Sequence, residues 1–175
     1  PKYNSGYIFD KLLNQFEINM PSSVIKSKTL SDLKINFDPK IIASEEYDLF
    51  MQIAARYNIS VIKEPLCTYR VSVNSLTNLS INSRALDKKL TFSKLENNYS
   101  KEILKYKKSY KKAKAKISYY EFQNNYSKGD YYNAKRELRK ILFVDYRYIL
   151  IFISLYIYPK LYKKILKRHD SRGIN

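Results

Sequence analysis

SEEYDLFMQIA, residues 44–54, places two adjacent carboxylates, Glu45 and Glu46, at the start of a run with helical spacing. Leu49, Phe50, Ile53, Ala54 and Tyr57 recur at steps of mostly three or four, and Ser44 is a favourable N-cap. The spacing predicts an amphipathic helix that buries one face and presents an acidic N-terminus to a cleft. The helix dipole keeps carboxylates in that first turn ionised. Acids are common in any first turn, so the ordinary reading is a pair of solvated charges. The flanking segments add a catalytic one.

Upstream run GYIFDKLLNQFEINMPSSVIK (6–26) and then Phe37-Asp38; downstream run KEPLCTYRVSVNSLT (63–77), with Glu64-Pro65-Leu66 and Tyr69-Arg70. In order and spacing these pieces resemble the acceptor half of a family 2 glycosyltransferase with the GT-A fold, over roughly residues 6–77. The resemblance implies an α/β first part, residues 1–80, forming the C-terminal half of a nucleotide-diphospho-sugar transferase domain. A short strand is then expected between the 44–54 helix and Glu64.

The resemblance also implies roles. Glu46 falls on the family's general base, which takes the proton of an acceptor hydroxyl as that oxygen attacks the anomeric carbon of a nucleotide sugar, with inversion. Glu stands here for the usual Asp, and Glu45 is its rival. Asp48 matches a second family acid, Ser22 and Ser23 match a Pro-Ser segment beside the cleft, and Arg70 matches a position that approaches phosphate. Without the resemblance, Asp48 reads as an exposed helix charge, Ser22 and Ser23 as a polar turn before a strand, and Arg70 as an ion-pair partner. Gln52 and Ser72 depart from the pattern, standing where Arg and His are frequent.

The donor side of such an enzyme is not legible. No Asp-x-Asp pair precedes residue 44, and the only glycines are Gly6, Gly129 and Gly173, too few for a phosphate loop. No metal-ligating set is read from the sequence. A divalent cation, Mg²⁺ or Mn²⁺, is expected with ligands mainly outside this chain, which reads as the C-terminal part of a longer enzyme. Its partners would be a nucleotide sugar donor and a glycan or lipid-linked acceptor.

Charge divides the chain near the polar run TNLSINS (77–83). Residues 1–80 carry nine Lys or Arg against eight Asp or Glu, whereas residues 81–175 carry twenty-four against eight. This second part reads as an all-α tail. Leu86, Leu90, Leu95, Tyr99, Ile103, Tyr106, Tyr110, Ala113 and Ile117 line one stripe of a long helix, Gly129-Asp130 breaks the pattern, and Ala134, Leu138, Ile141 and Leu142 begin another helix. The apolar run 148–158 then ends at Pro159 and is followed by Lys160, Lys163, Lys164, Lys167 and Arg168. A bilayer span needs about 20 apolar residues, so a core or interfacial helix is the better reading.

The basic tail would suit an anionic membrane surface, at the inner face of the cell membrane of a cytoplasmic enzyme. Cys67 is the only cysteine, which suits a packed residue in a reducing compartment, and His169 has no ligand partner at metal spacing. The alternative to an enzyme is a basic helical protein that binds nucleic acid or a membrane surface without catalysis. Against nucleic acid, Tyr99, Tyr106 and Tyr110 lie on the apolar stripe rather than among the lysines.

Overall fold

A computed structural model describes residues 5–68 and 83–157 of the 175. The described elements are α1 (Phe9–Asn14), a 3-10 turn at Met20–Ser22, α2 (Ser27–Leu33), α3 (Glu45–Ala54), α4 (Arg84–Asn98), α5 (Ser100–Lys105), α6 (Lys107–Ser127), α7 (Tyr131–Arg139) and α8 (Tyr146–Ile157). The chain divides into two compact units, Pro1–Ile117 and Ser118–Asn175.

This architecture overturns the α/β expectation, and with it the resemblance to a family 2 glycosyltransferase of GT-A fold. Such a domain is built on a sheet, and the described residues contain no strand. In place of the strand expected before Glu64 there is one antiparallel bridge, in which Gly6 and Ile59 exchange backbone hydrogen bonds of 2.8 and 2.9 Å. The reason is the lack of partners and of cover. Beyond the bridge, Ile62 and Leu66 are exposed, as is Val24 after the Met20–Ser22 turn, so neither segment has the buried face that sustains a strand.

In the first unit α3 is the hub. One side of it, Tyr47, Met51, Ala54 and Ala55, joins Phe9, Leu12 and Leu13 of α1, Phe92 and Leu95 of α4, and Tyr110, Ala113 and Ile117 of α6. Another side, Leu49, Phe50 and Ile53, packs beneath Phe16, Ile25, Leu30, Leu33 and Ile35. Asp48 and Gln52 are buried as well, so α3 is covered nearly all round from Tyr47 to Ala54. The one-faced amphipathic helix of the sequence reading is therefore corrected: Tyr47 and Met51 are core as much as Leu49 and Phe50.

The single long helix expected over 86–117 is three helices, interrupted at Tyr99 and Tyr106, both outside helical geometry. Asn97 and Asn98, weak helix formers, precede the first break. Arg56 stabilises it from α3's end, donating to the freed Asn98 carbonyl at 3.4 Å and pairing with Glu102. Its guanidinium also lies 5.3 Å over the Tyr99 ring.

The second unit buries Phe122, Ala134, Leu138, Ile141 and Leu155, with α7 against α8. Gly129, at φ +80, supplies the left-handed residue after α6, and Asp130 caps α7 by accepting the Asn133 N–H at 3.1 Å. No helix among the described residues is long and apolar enough to cross a membrane.

Candidate functional site

The entry to α3 is held from α4. Asp87 is fully buried, and its carboxylate accepts from the backbone N–H of Ile42 at 3.3 Å, from that of Ala43 at 2.9 Å, and from the Ser44 hydroxyl at 3.3 Å. Ser44, expected to cap the helix with its side chain, spends its hydroxyl on Asp87 instead. This fixes the turn from which Glu45 and Glu46 project, both half-buried.

Lys88 follows on the same helix, buried, with its Nζ 3.2 Å above the centre of the Tyr47 ring. Burial draws its pKa down to about 7, nearby Lys116 acts in the same direction, and the charges of Glu46 and Asp87 oppose both. Burial likewise pushes the Glu46 carboxyl up, against its own backbone hydrogen bond, with Glu45 adding to the rise. An acid held above its ordinary range and an ammonium held below it thus lie within each other's field. Both are displaced toward neutrality, where proton exchange is most effective.

Asp48 belongs to a different place. It is 1 % exposed, far from the solvated helix charge of the ordinary reading, and its Oδ2 accepts from Lys94 Nζ at 2.7 Å and Gln52 Nε2 at 3.1 Å. Lys94 also reaches Asp38 at 2.8 Å. Burial works against the Lys94 charge, but the hydrogen bonds to Asp38 and Asp48 outweigh it and raise its pKa, while Lys94 holds Asp38 low. Lys94, Gln52, Asp38, Arg56 and Tyr99 line an open cleft of about 590 Å³. Neither Glu45 nor Glu46 lines it.

The remaining expected residues scatter. Ser22, at the end of the 3-10 turn, and Ser23, just after it, turn their hydroxyls back on the Asn19 carbonyl, at 3.0 and 2.7 Å. Arg70, Ser72 and His169 lie outside the described residues. Cys67, expected in a packed strand, is exposed and directs its thiol to the Pro21 carbonyl at 3.4 Å. Among the described residues no three of His, Cys, Asp and Glu gather as metal ligands.

Sequence reasoning missed Asp87, Lys88 and Lys94. A signal was present: Ala85, Lys88, Phe92, Leu95 and Tyr99 share one helical face, and a lysine set in such a row is anomalous. No protein-family model, curated protein or solved structure matches the chain.

Proposed function

We propose that the first unit carries the acceptor-side acid–base residues of a group-transfer enzyme, with Glu46 as the general base. It removes the proton of an acceptor hydroxyl as the oxygen attacks the anomeric carbon of a nucleotide sugar. The observation that carries this reading is geometric: the turn before Glu46 is pinned by Asp87, and the buried Lys88 lies over Tyr47 at the same helix entry, where burial pushes the Glu46 carboxyl up and the Lys88 ammonium down. Sugar is the transferred group expected from the sequence, and the fold does not add to that expectation. On this reading Glu45 is the secondary acid, and the donor site and its cation lie outside the described residues. A glycan or lipid-linked alcohol is the acceptor, and the reaction is placed in the cytoplasm at the inner face of the membrane.

Two measurements test it. Titration of the chain with ¹³C-labelled glutamate should give Glu46 a carboxyl pKa above 4.5, and Lys88→Met should raise it further by removing the nearby cation. In the full-length enzyme Glu46→Gln should cut transfer by about 10²- to 10⁴-fold while leaving donor affinity unchanged, the usual scale of general-base catalysis. Glu45→Gln should be milder. A fully active Glu46→Gln enzyme ends the assignment.

A further inference from the structure

In the second unit, α8 turns a row of large apolar side chains to solvent. Tyr146 is 70 % exposed, Leu150 60 % and Ile153 46 %, with Ile149 beside them. At about 100° per residue these four fall within roughly 100° of helix circumference. Leu155, on the other side, is buried, as befits the face that packs inward. Phe143, in the turn before the helix, is 94 % exposed. Scattered exposed apolar residues need no explanation, but a continuous row of them on one helix does.

Three observations choose what covers the row. With 12 residues α8 is too short to span a bilayer but suited to lying in its interface. Aromatic residues at such a boundary place a ring in the acyl region and, for Tyr146, a hydroxyl among the headgroups. The sequence that follows the helix, residues 159–175, carries six Lys or Arg against one Asp. A second copy would bring the same positive charge and repel; an anionic lipid surface brings its complement.

We propose that the exposed face of α8 inserts into the headgroup boundary of an anionic membrane, with the basic residues after it neutralising lipid phosphates and carboxylates. This goes beyond the acid–base reading of the first unit and does not depend on it. The chain contains no Trp, so Tyr146→Trp gives a sole reporter. Its emission should shift to the blue on phosphatidylserine-containing vesicles, and no shift means no insertion.

Leu150→Glu/Ile153→Glu should lower vesicle affinity at least about tenfold with the melting temperature unchanged, because two inserting side chains are lost and neither is needed in the core. Replacing Lys163, Lys164 and Lys167 by Gln should weaken binding and flatten its salt dependence. Undiminished binding by the double Glu variant, equal binding to phosphatidylcholine alone, or a dimer that Leu150→Glu dissociates in a protein indifferent to vesicles would overturn the proposal. Tighter binding to RNA than to vesicles, undiminished in the double Glu variant, would overturn it as well.

Discussion

An ammonium under cover is expensive unless something answers it, and Lys88 is answered chiefly by the Tyr47 ring and by Glu46 and Asp87. Its folded pKa of about 7 lies below the unfolded value of 10.5. Between those limits the unfolded chain binds more protons, so stability rises with pH through that window and is lowest where Lys88 is charged in both states. Lys88→Met should therefore raise stability at neutral pH, by an amount on the order of a few kcal/mol, and should remove the rise between about pH 7 and 10.5. Urea melts of both proteins at stepped pH check it; parallel curves would mean that the ammonium is hydrated. The carboxyl beside it has the opposite sign. A raised Glu46 pKa makes the folded state hold its proton more tightly, so its contribution to stability falls as pH rises from about 4.5 through the folded value. Asp87→Ala would leave the N–H groups of Ile42 and Ala43, at the partly covered entry to α3, without their acceptor, at a cost of up to about 1–3 kcal/mol each where water cannot replace it.

Helix ends show what the chain settles locally and what it settles only by packing. Lys34 ends α2 in the left-handed region at φ +53, a conformation that strains a side chain and favours glycine. Lys34→Gly should stabilise the protein by up to about 1 kcal/mol, read as a higher urea midpoint at unchanged slope. A loss of stability would mean that the Lys34 side chain contributes more than its backbone costs. The helix read from 44–54 and the Gly129-Asp130 break were legible in the sequence because apolar spacing and capping chemistry act within a few residues. The sheet was misread because short motifs such as Pro-Ser and Glu-Pro-Leu carry no information about a partner strand, and the segments that needed one found none. The expected stripe holds at Leu95 and Tyr99, which are buried, but fails at its start. Leu86 is exposed, whereas Asp87 and Lys88, which the spacing did not single out, are buried because the α3 entry supplies their partners. Polar burial of that kind depends on what arrives from elsewhere in the chain. The same holds for Glu46 and Lys88: Glu46 was visible as a helix-start acid, but Lys88 comes within its field only when α4 packs on α3.

Across the whole molecule, charge and chemistry are unevenly placed. The candidate base sits in the nearly neutral first part, while residues 81–175 hold most of the +17 net charge. A nucleotide sugar is an anion and will be drawn to the basic part whether or not a site for it exists, so electrostatic attraction must be separated from recognition. Recognition of a pyrophosphate needs convergent backbone N–H groups, usually in a glycine-rich turn before a helix. The two glycines among the described residues are otherwise engaged: Gly6 forms the bridge to Ile59, and Gly129 closes the end of α6. The chain should accordingly bind nucleotide sugars no more tightly than about millimolar, equivalent to roughly 4 kcal/mol. That weak binding should fade as salt shortens the Debye length from about 10 Å at 0.1 M to about 3 Å at 1 M. Calorimetry with several nucleotide sugars plus Mg²⁺ or Mn²⁺, at both salt concentrations and against inorganic pyrophosphate as the charge control, distinguishes the cases. Equal, salt-sensitive uptake of all ligands is the expected result. Micromolar binding of one nucleotide sugar that survives high salt would place a donor site within these 175 residues and refute the assignment of the chain to the acceptor side alone.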